Sequence, residues 1–135
     1  SLLNIDPPKP VLLPTMIFSN GDNIISGDDK MTFPIMSLGG CGVISVQAMA
    51  FPDLFTDMVK YLLNQDLASA KKIHYQLLKS VDWFYIDGNP AGIKQALFFL
   101  QICSSNQLRL PLVKMSKKHA EQLCSLVNNT INNKN

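Results

Sequence analysis

Closely spaced cysteine pairs are missing from this sequence, and with them the usual mark of a disulfide framework or a zinc site. The three cysteines, Cys41, Cys103 and Cys124, read instead as small apolar residues in a reducing cytosol. Neither His74 nor His119 has a second histidine or cysteine at metal-ligand spacing. His74 falls on an apolar helical stripe and His119 at an exposed helix start, so packing and solvent are their expected surroundings. No apolar run approaches the length of a membrane span. Val11-Leu12-Leu13 and Met16-Ile17-Phe18 are separated by Pro14 and follow no charged segment, which argues against a signal peptide. Strong charge is also missing: 12 basic against 10 acidic residues leave a net charge of +2. The basic doublets, Lys71-Lys72 and Lys117-Lys118, fall on predicted helices and read as solvated faces rather than a nucleic-acid surface. Arg109 is the only arginine, and a structural ion pair or carbonyl contacts are expected of it. Gly39, Gly40 and Gly42 lack phosphate-loop spacing, and Ser45 has no local base or nucleophile elbow. Asn128-Asn129-Thr130 matches a glycosylation sequon, a chance match in a cytosolic chain.

What is present is a chain of 135 residues, 47% apolar, with the size and composition of one ordinary domain. Its organising stretch is Ile24 to Val46. A short apolar run ends at Ser26-Gly27, and Asp28 or Asp29 then caps a helix starting at Lys30. Pro34 falls early enough in that helix to be tolerated. Gly39-Gly40 ends it, where a positive φ is wanted. Gly42 to Val46 is a second buried-strand run. Two apolar strands joined by one helix form a βαβ unit and imply a parallel sheet. Ligands bind at the carboxyl ends of such strands, here Ser26 to Asp29 and Ser45 to Gln47.

Upstream, Pro7, Pro8, Pro10 and Pro14 make residues 1–22 hard to place, with Val11 to Phe18 as an interrupted edge strand. Downstream, Pro52 starts a helix with Leu54, Phe55, Met58, Val59, Leu62 and Leu63 at helical spacing, stopping near Asn64. Asp66 caps a second helix reaching about Ile86. Asp87 to Pro90 is a turn, after which Asn89 caps a third helix with Ile93, Ala96, Leu97 and Leu100 inside. Phe98 and Phe99 beside them suggest burial on more than one side. Leu108 to Leu112 reads as extended. Ser116 caps a last helix with Ala120, Leu123, Val127 and Ile131 on one face, fraying from Asn128. Trp83 reads as packing.

The ordered set SGDD, LGGCGVISV, AxxFPDLF, DGNPAGIKQAL and LRLPLVKMS, from Ile24 to Val127, resembles the dihydrodipicolinate synthase family. The related sialic acid lyases and sugar-acid aldolases share the fold, and SGDD favours the synthase branch. The resemblance implies an α/β fold: the last two strands of a (β/α)₈ barrel over residues 23–64, then a carboxyl-terminal helical domain over 65–135. Residues 1–22, rich in proline, show no clear family match. A whole barrel needs roughly 250 residues, so the resemblance covers a carboxyl-terminal portion.

For the complete enzyme, the resemblance implies a lyase that condenses pyruvate with aspartate semialdehyde through a lysine Schiff base. The product lies on the route to lysine and diaminopimelate. It implies a cytoplasmic homo-oligomer with no metal or organic cofactor, since the imine is the electron sink. It assigns Ile44, in GVISV, to the pyruvate pocket through its backbone carbonyl, and gives Gly27, Asp28 and Asp29 a supporting role there. Read without the resemblance, Ile44 is an ordinary buried strand residue and the aspartates are helix caps. No lysine follows a clear strand, and Lys9, in PPKP, does not match the Schiff-base motif. Gly92-Ile93-Lys94 echoes that motif but falls on a helix. Tyr61, Tyr75 and Tyr85 also fall on helices and match no substrate-binding tyrosine. The chain alone is therefore expected to be inactive, with a separate amino-terminal chain as a candidate partner. A helical interaction module, or a nonfunctional remnant, is the rival reading.

Overall fold

The structure, a computed structural model, describes the backbone of Met16–Phe18 and the whole of residues 24–132. The expectations for the proline-rich start and Lys9, and for the tail beyond Asn132, lie outside the described residues.

The βαβ unit is present. Strand β2 (Ile24–Ser26) runs parallel to β3 (Gly42–Val43), with Ile25 opposite Gly42 and Ser26 opposite Val43. Helix α1 (Thr32–Ser37) lies between them in sequence. The ladder is extended by Cys41 N–H to the Ile24 carbonyl and Ile44 N–H to the Ser26 carbonyl, both at 2.8 Å. The second strand is shorter than the expected run to Val46. Past Val43 the chain turns out into a 3₁₀ helix (Gln47–Met49), because the Ala48 N–H bonds the Ser45 hydroxyl at 2.8 Å. Strand β1 (Met16–Phe18) pairs antiparallel with β2, so the order is β1-β2-β3 and β2 is central. Of the expected edge strand over Val11 to Phe18, the described residues are Met16–Phe18, and they are extended. The direction of β1 differs from that of strands in a (β/α)₈ barrel, which are all parallel.

Helix α1 starts at Thr32 rather than Lys30, because the Lys30 and Met31 amides are taken by the Asp28 carboxylate in the preceding turn. It ends where Gly39 adopts φ +103°, a conformation open to glycine at little cost.

Four longer helices follow. They are α2 (Pro52–Leu63), α3 (Leu67–Val81), α4 (Ala91–Phe99) and α5 (Lys117–Asn132). Asp66 caps α3 by accepting from Ser69 N–H at 3.0 Å. The expected helix to Ile86 stops at Val81, and a 3₁₀ turn (Asp82–Phe84) tightens the chain so that Phe84 enters the core fully buried. Asn89 does not cap α4. The Ala91 amide bonds the Gly88 carbonyl instead, at 3.1 Å, and Pro90 takes the cap position. Helix α4 then presses on the 3₁₀ turn so closely that a Cβ on Gly92 would lie 2.2 Å from the Phe84 carbonyl oxygen.

One cluster of buried side chains holds these elements together. Met36, Phe55, Met58, Leu62, Leu77, Phe84, Ile93, Leu123 and Val127 belong to it, with Leu97 and Trp83 packed against its margin. The cluster spans the expected boundary at residues 64–65. Several apolar residues lie outside it. Leu63 is exposed, and so are Phe98 and Phe99, so α4 buries one side only. Leu108 to Leu112 forms no strand, and Leu110 is 87% exposed. Cys41 and Arg109 are also exposed. Helix α5 continues past Asn128, because Thr130 is buried and its carbonyl accepts from Gln76 Nε2 at 2.7 Å.

His119 is not simply solvated. Its Nδ1 lies 2.7 Å from Asp87 Oδ1, while Ser116 N–H donates to Asp87 Oδ2 at 2.9 Å. These bonds latch the start of α5 to the turn before α4. Chiefly the Ser116 amide, then His119, hold the Asp87 carboxyl below the usual aspartate value of 3.8. Its contribution is present above that value and is lost as pH falls through the lowered one. Asp87→Asn should therefore flatten the acid limb of a stability-versus-pH curve. An acid limb identical to that of the unsubstituted chain would remove Asp87 from this role.

Leu77→Ala or Leu123→Ala should lower stability by about 2–5 kcal/mol, and Gly92→Ala by about 1–3 kcal/mol or more through overpacking. Denaturant midpoints check all three. A silent Gly92→Ala would show that α4 and the 3₁₀ turn are further apart than described.

Candidate functional site

The carboxyl ends of β2 and β3 are where a parallel sheet presents chemistry, and two adjacent carboxylates there divide the work. Ser26 is fully buried, and its hydroxyl and that of Thr32 both donate to the Asp28 carbonyl, each at 2.9 Å. The Asp28 carboxylate turns back on its own chain and accepts from Lys30 N–H at 2.8 Å and Met31 N–H at 3.0 Å. Asp28 thus closes the turn before α1, and neither aspartate is the helix cap expected from the sequence: the N-cap position is Met31, with no side-chain cap bond. Gly27, beside it, is exposed.

Asp29 does something else. It is 6% exposed and points across to the end of β3. Its Oδ1 accepts from the Ser45 hydroxyl. Its Oδ2 accepts from Gln47 N–H at 3.1 Å and from the Tyr85 hydroxyl at 3.0 Å. A buried carboxylate is tolerable only when donors replace the water it loses, and here two stretches of chain, residues 45–47 and Tyr85, supply them. The Tyr85 phenol is pushed above its ordinary value by burial first, then by the neighbouring Asp29 and Asp28 carboxylates. It therefore stays a neutral donor. Behind this cluster, Gln47 is buried and its Nε2 donates to the Leu77 carbonyl at 3.0 Å and to Ser80 Oγ at 2.8 Å. The strand end is thereby tied to α3.

Ile44 stands at the end of β3 with 60% of its surface exposed, unlike an ordinary buried strand residue. Its amide is fixed on Ser26 and the next side chain, Ser45, on Asp29. Beside β3 lies an open, mainly apolar recess of about 430 Å³ lined by Val43, Phe55, Val59 and Lys60 among others. Among the described residues, no group of three or more histidine, cysteine, aspartate or glutamate side chains could hold a metal ion, and no helix is long and apolar enough to cross a membrane.

The structure brings Gly27, Asp28, Asp29 and Ile44 to one end of the sheet. His74 is elsewhere, stacked on Phe33 at 5.0 Å and held below its usual value by burial. Lys94 is on α4. Sequence reasoning missed Ser45, Gln47 and Tyr85 as partners of Asp29. The available signal was a glutamine set among apolar residues just after a strand; nothing in the sequence pointed to Tyr85.

A model of the Dihydrodipicolinate synthetase family matches residues 17–130. The 4-hydroxy-tetrahydrodipicolinate synthase of Parabacteroides distasonis is 48% identical over 91 residues, which are 67% of this chain and 30% of that protein. The crystal structure of dihydrodipicolinate synthase from Aquifex aeolicus superposes with a TM-score of 0.77 at 32% identity, covering 83% of this chain and 38% of that one. The chloride-inhibited synthase from Acinetobacter baumannii, solved with pyruvate, superposes with a TM-score of 0.74 at 25% identity, covering 78% and 36%. This chain spans about a third of the length of these relatives. Its fold is that of the carboxyl-terminal part of their (β/α)₈ barrel, with the last two parallel strands, together with the helices that follow.

Asp29→Ala would strand the Ser45, Gln47 and Tyr85 donors at once. It should destabilise the chain by about 1–3 kcal/mol for each donor left buried and unpaired. Urea unfolding checks this, and a loss below that of Asp28→Ala would sink the assignment of Asp29 as the central acceptor.

Proposed function

This chain belongs to the dihydrodipicolinate synthetase family, and we propose that it supplies the carboxyl-terminal part of a 4-hydroxy-tetrahydrodipicolinate synthase. The complete enzyme condenses pyruvate with aspartate semialdehyde in the cytoplasm, on the route to lysine and diaminopimelate. A lysine amine attacks the pyruvate ketone, the new carbon–nitrogen bond forms, and the ketone oxygen leaves as water. No metal or organic cofactor takes part, and the working form is a homo-oligomer.

The observation that carries this reading is Ile44. It stands exposed at the carboxyl end of β3, with its amide fixed by Ser26 and the following residue fixed by Asp29. In the proposed enzyme its backbone carbonyl lines the pyruvate pocket, and Gly27, Asp28 and Asp29 support that pocket from behind. Residues 23–64 are the barrel portion and 65–135 the helical domain. The remaining barrel covers the recess beside β3. The imine-forming lysine comes from a segment separate from this chain; of its own lysines, Lys30 sits in the turn before α1 and pairs with Asp82, and Lys94 is on a helix. By itself the chain is inactive.

The exposed Phe98, Phe99 and Ile102 on and after α4 favour a second reading, a helical interaction module that has kept the sequence and lost the chemistry.

Borohydride reduction in the presence of pyruvate, read by intact mass, separates the two. The chain alone should gain no mass. Adding the segment that bears the lysine should give one adduct on that segment, and Ile44→Asp should weaken capture by crowding the pocket and repelling the anionic substrate. Stoichiometric trapping at Lys9 or any other lysine of the isolated chain would overturn the proposed division of labour. No adduct in any assembly would leave the interaction module as the better reading.

A further inference from the structure

We propose that Tyr85 is a positioning residue for the pyruvate pocket: with Asp29 and Ser45 it forms a clamp that fixes the Ile44–Ser45 peptide at the end of β3. The inference rests on the reading of Ile44 just given and deepens it, because it makes substrate capture depend on a residue from the helical part of the chain.

Both shoulders of that peptide are held. Upstream, the Ile44 amide donates to the Ser26 carbonyl at 2.8 Å. Downstream, the Ser45 hydroxyl donates to Asp29 Oδ1 and accepts from Ala48 N–H at 2.8 Å. Asp29 sits on a short turn, so its carboxylate keeps one orientation only if something opposes the pull of Ser45. The Tyr85 hydroxyl does so on the other oxygen, Oδ2, at 3.0 Å, alongside the Gln47 amide at 3.1 Å. Tyr85 is itself well fixed. Its amide bonds the Asp82 carbonyl at 3.1 Å, and the preceding residue, Phe84, is fully buried. Yet 41% of the surface of Tyr85 is exposed, so its ring adds little to the core. The hydroxyl is what this residue contributes. Pyruvate is a small anion that offers few contacts, so placement of the carbonyl that meets it matters. A displacement of about 1 Å caused by a remote change can cost on the order of 100-fold in rate.

Tyr85→Phe removes the hydroxyl and keeps the ring. In the full chain, amide hydrogen exchange at Gln47 should quicken about tenfold, the equivalent of one lost hydrogen bond, while exchange at Phe55 in α2 stays unchanged. In the assembly that contains the imine-forming lysine, borohydride trapping at low pyruvate should slow by roughly ten- to 100-fold. It should recover at saturating pyruvate, a concentration dependence that a purely structural residue would not produce. Unchanged exchange at Gln47 would overturn the clamp. Faster exchange with an unaltered pyruvate dependence would overturn the positioning role and leave the proposed function standing. No trapping by the unsubstituted assembly at any pyruvate concentration would overturn the reading of Ile44, and the positioning role with it.

Discussion

The buried carboxylate of Asp29 is the constraint on which the sheet end depends. A carboxylate removed from water is stable in place only while donors surround it. Its donors come from the end of β3, from the 3₁₀ segment after it and from the turn after α3. None of these segments is near Asp29 in sequence. The carboxylate therefore sets where three distant parts of the chain meet. Asp28, one residue away, has its needs met by the next two amides and sets only its own turn.

Outside that junction the fold rests on apolar packing. Every helix from α1 to α5 contributes buried side chains, α2 and α3 supplying Phe55, Met58, Leu62, Ala70 and Leu77, and the T-shaped contact between Phe51 and Phe84 joins the segment before α2 to the one after α3. Polar contacts mark the edges of this core. Gln47 crosses from the strand end to α3, and Asp87 holds the start of α5 through Ser116 and His119. The Lys30–Asp82 ion pair is exposed on both sides, and pairs of that kind contribute about 0–1 kcal/mol. It decorates the junction rather than holding it.

Much of this was legible in the residues. Apolar spacing placed α2 and the inner faces of α4 and α5, Pro52 and Asp66 marked helix starts, and Gly39 marked a stop. The ordered motifs identified the family and the barrel end. What periodicity could not reach was set by contacts distant in sequence. Two neighbouring aspartates look interchangeable as caps, and only the folded chain shows one facing its own turn and the other a tyrosine 56 residues away. The end of α3 was misplaced because apolar residues continue to Ile86, and it is the burial of Phe84 that tightens the chain. Ile44 reads as a core residue by composition and is exposed in the structure. Asn89 has the chemistry of a cap, but a backbone carbonyl had already taken the amide.

Leu77 belongs to two systems at once. Its side chain is in the apolar core, and its carbonyl receives the Gln47 amide that ties down the strand end. Loosening of the helical core is therefore passed to the strand end through this carbonyl, beside the bond from Gln47 to Ser80. A substitution that disturbs the packing of Leu77 is felt at the strand end as well, 30 residues away in sequence.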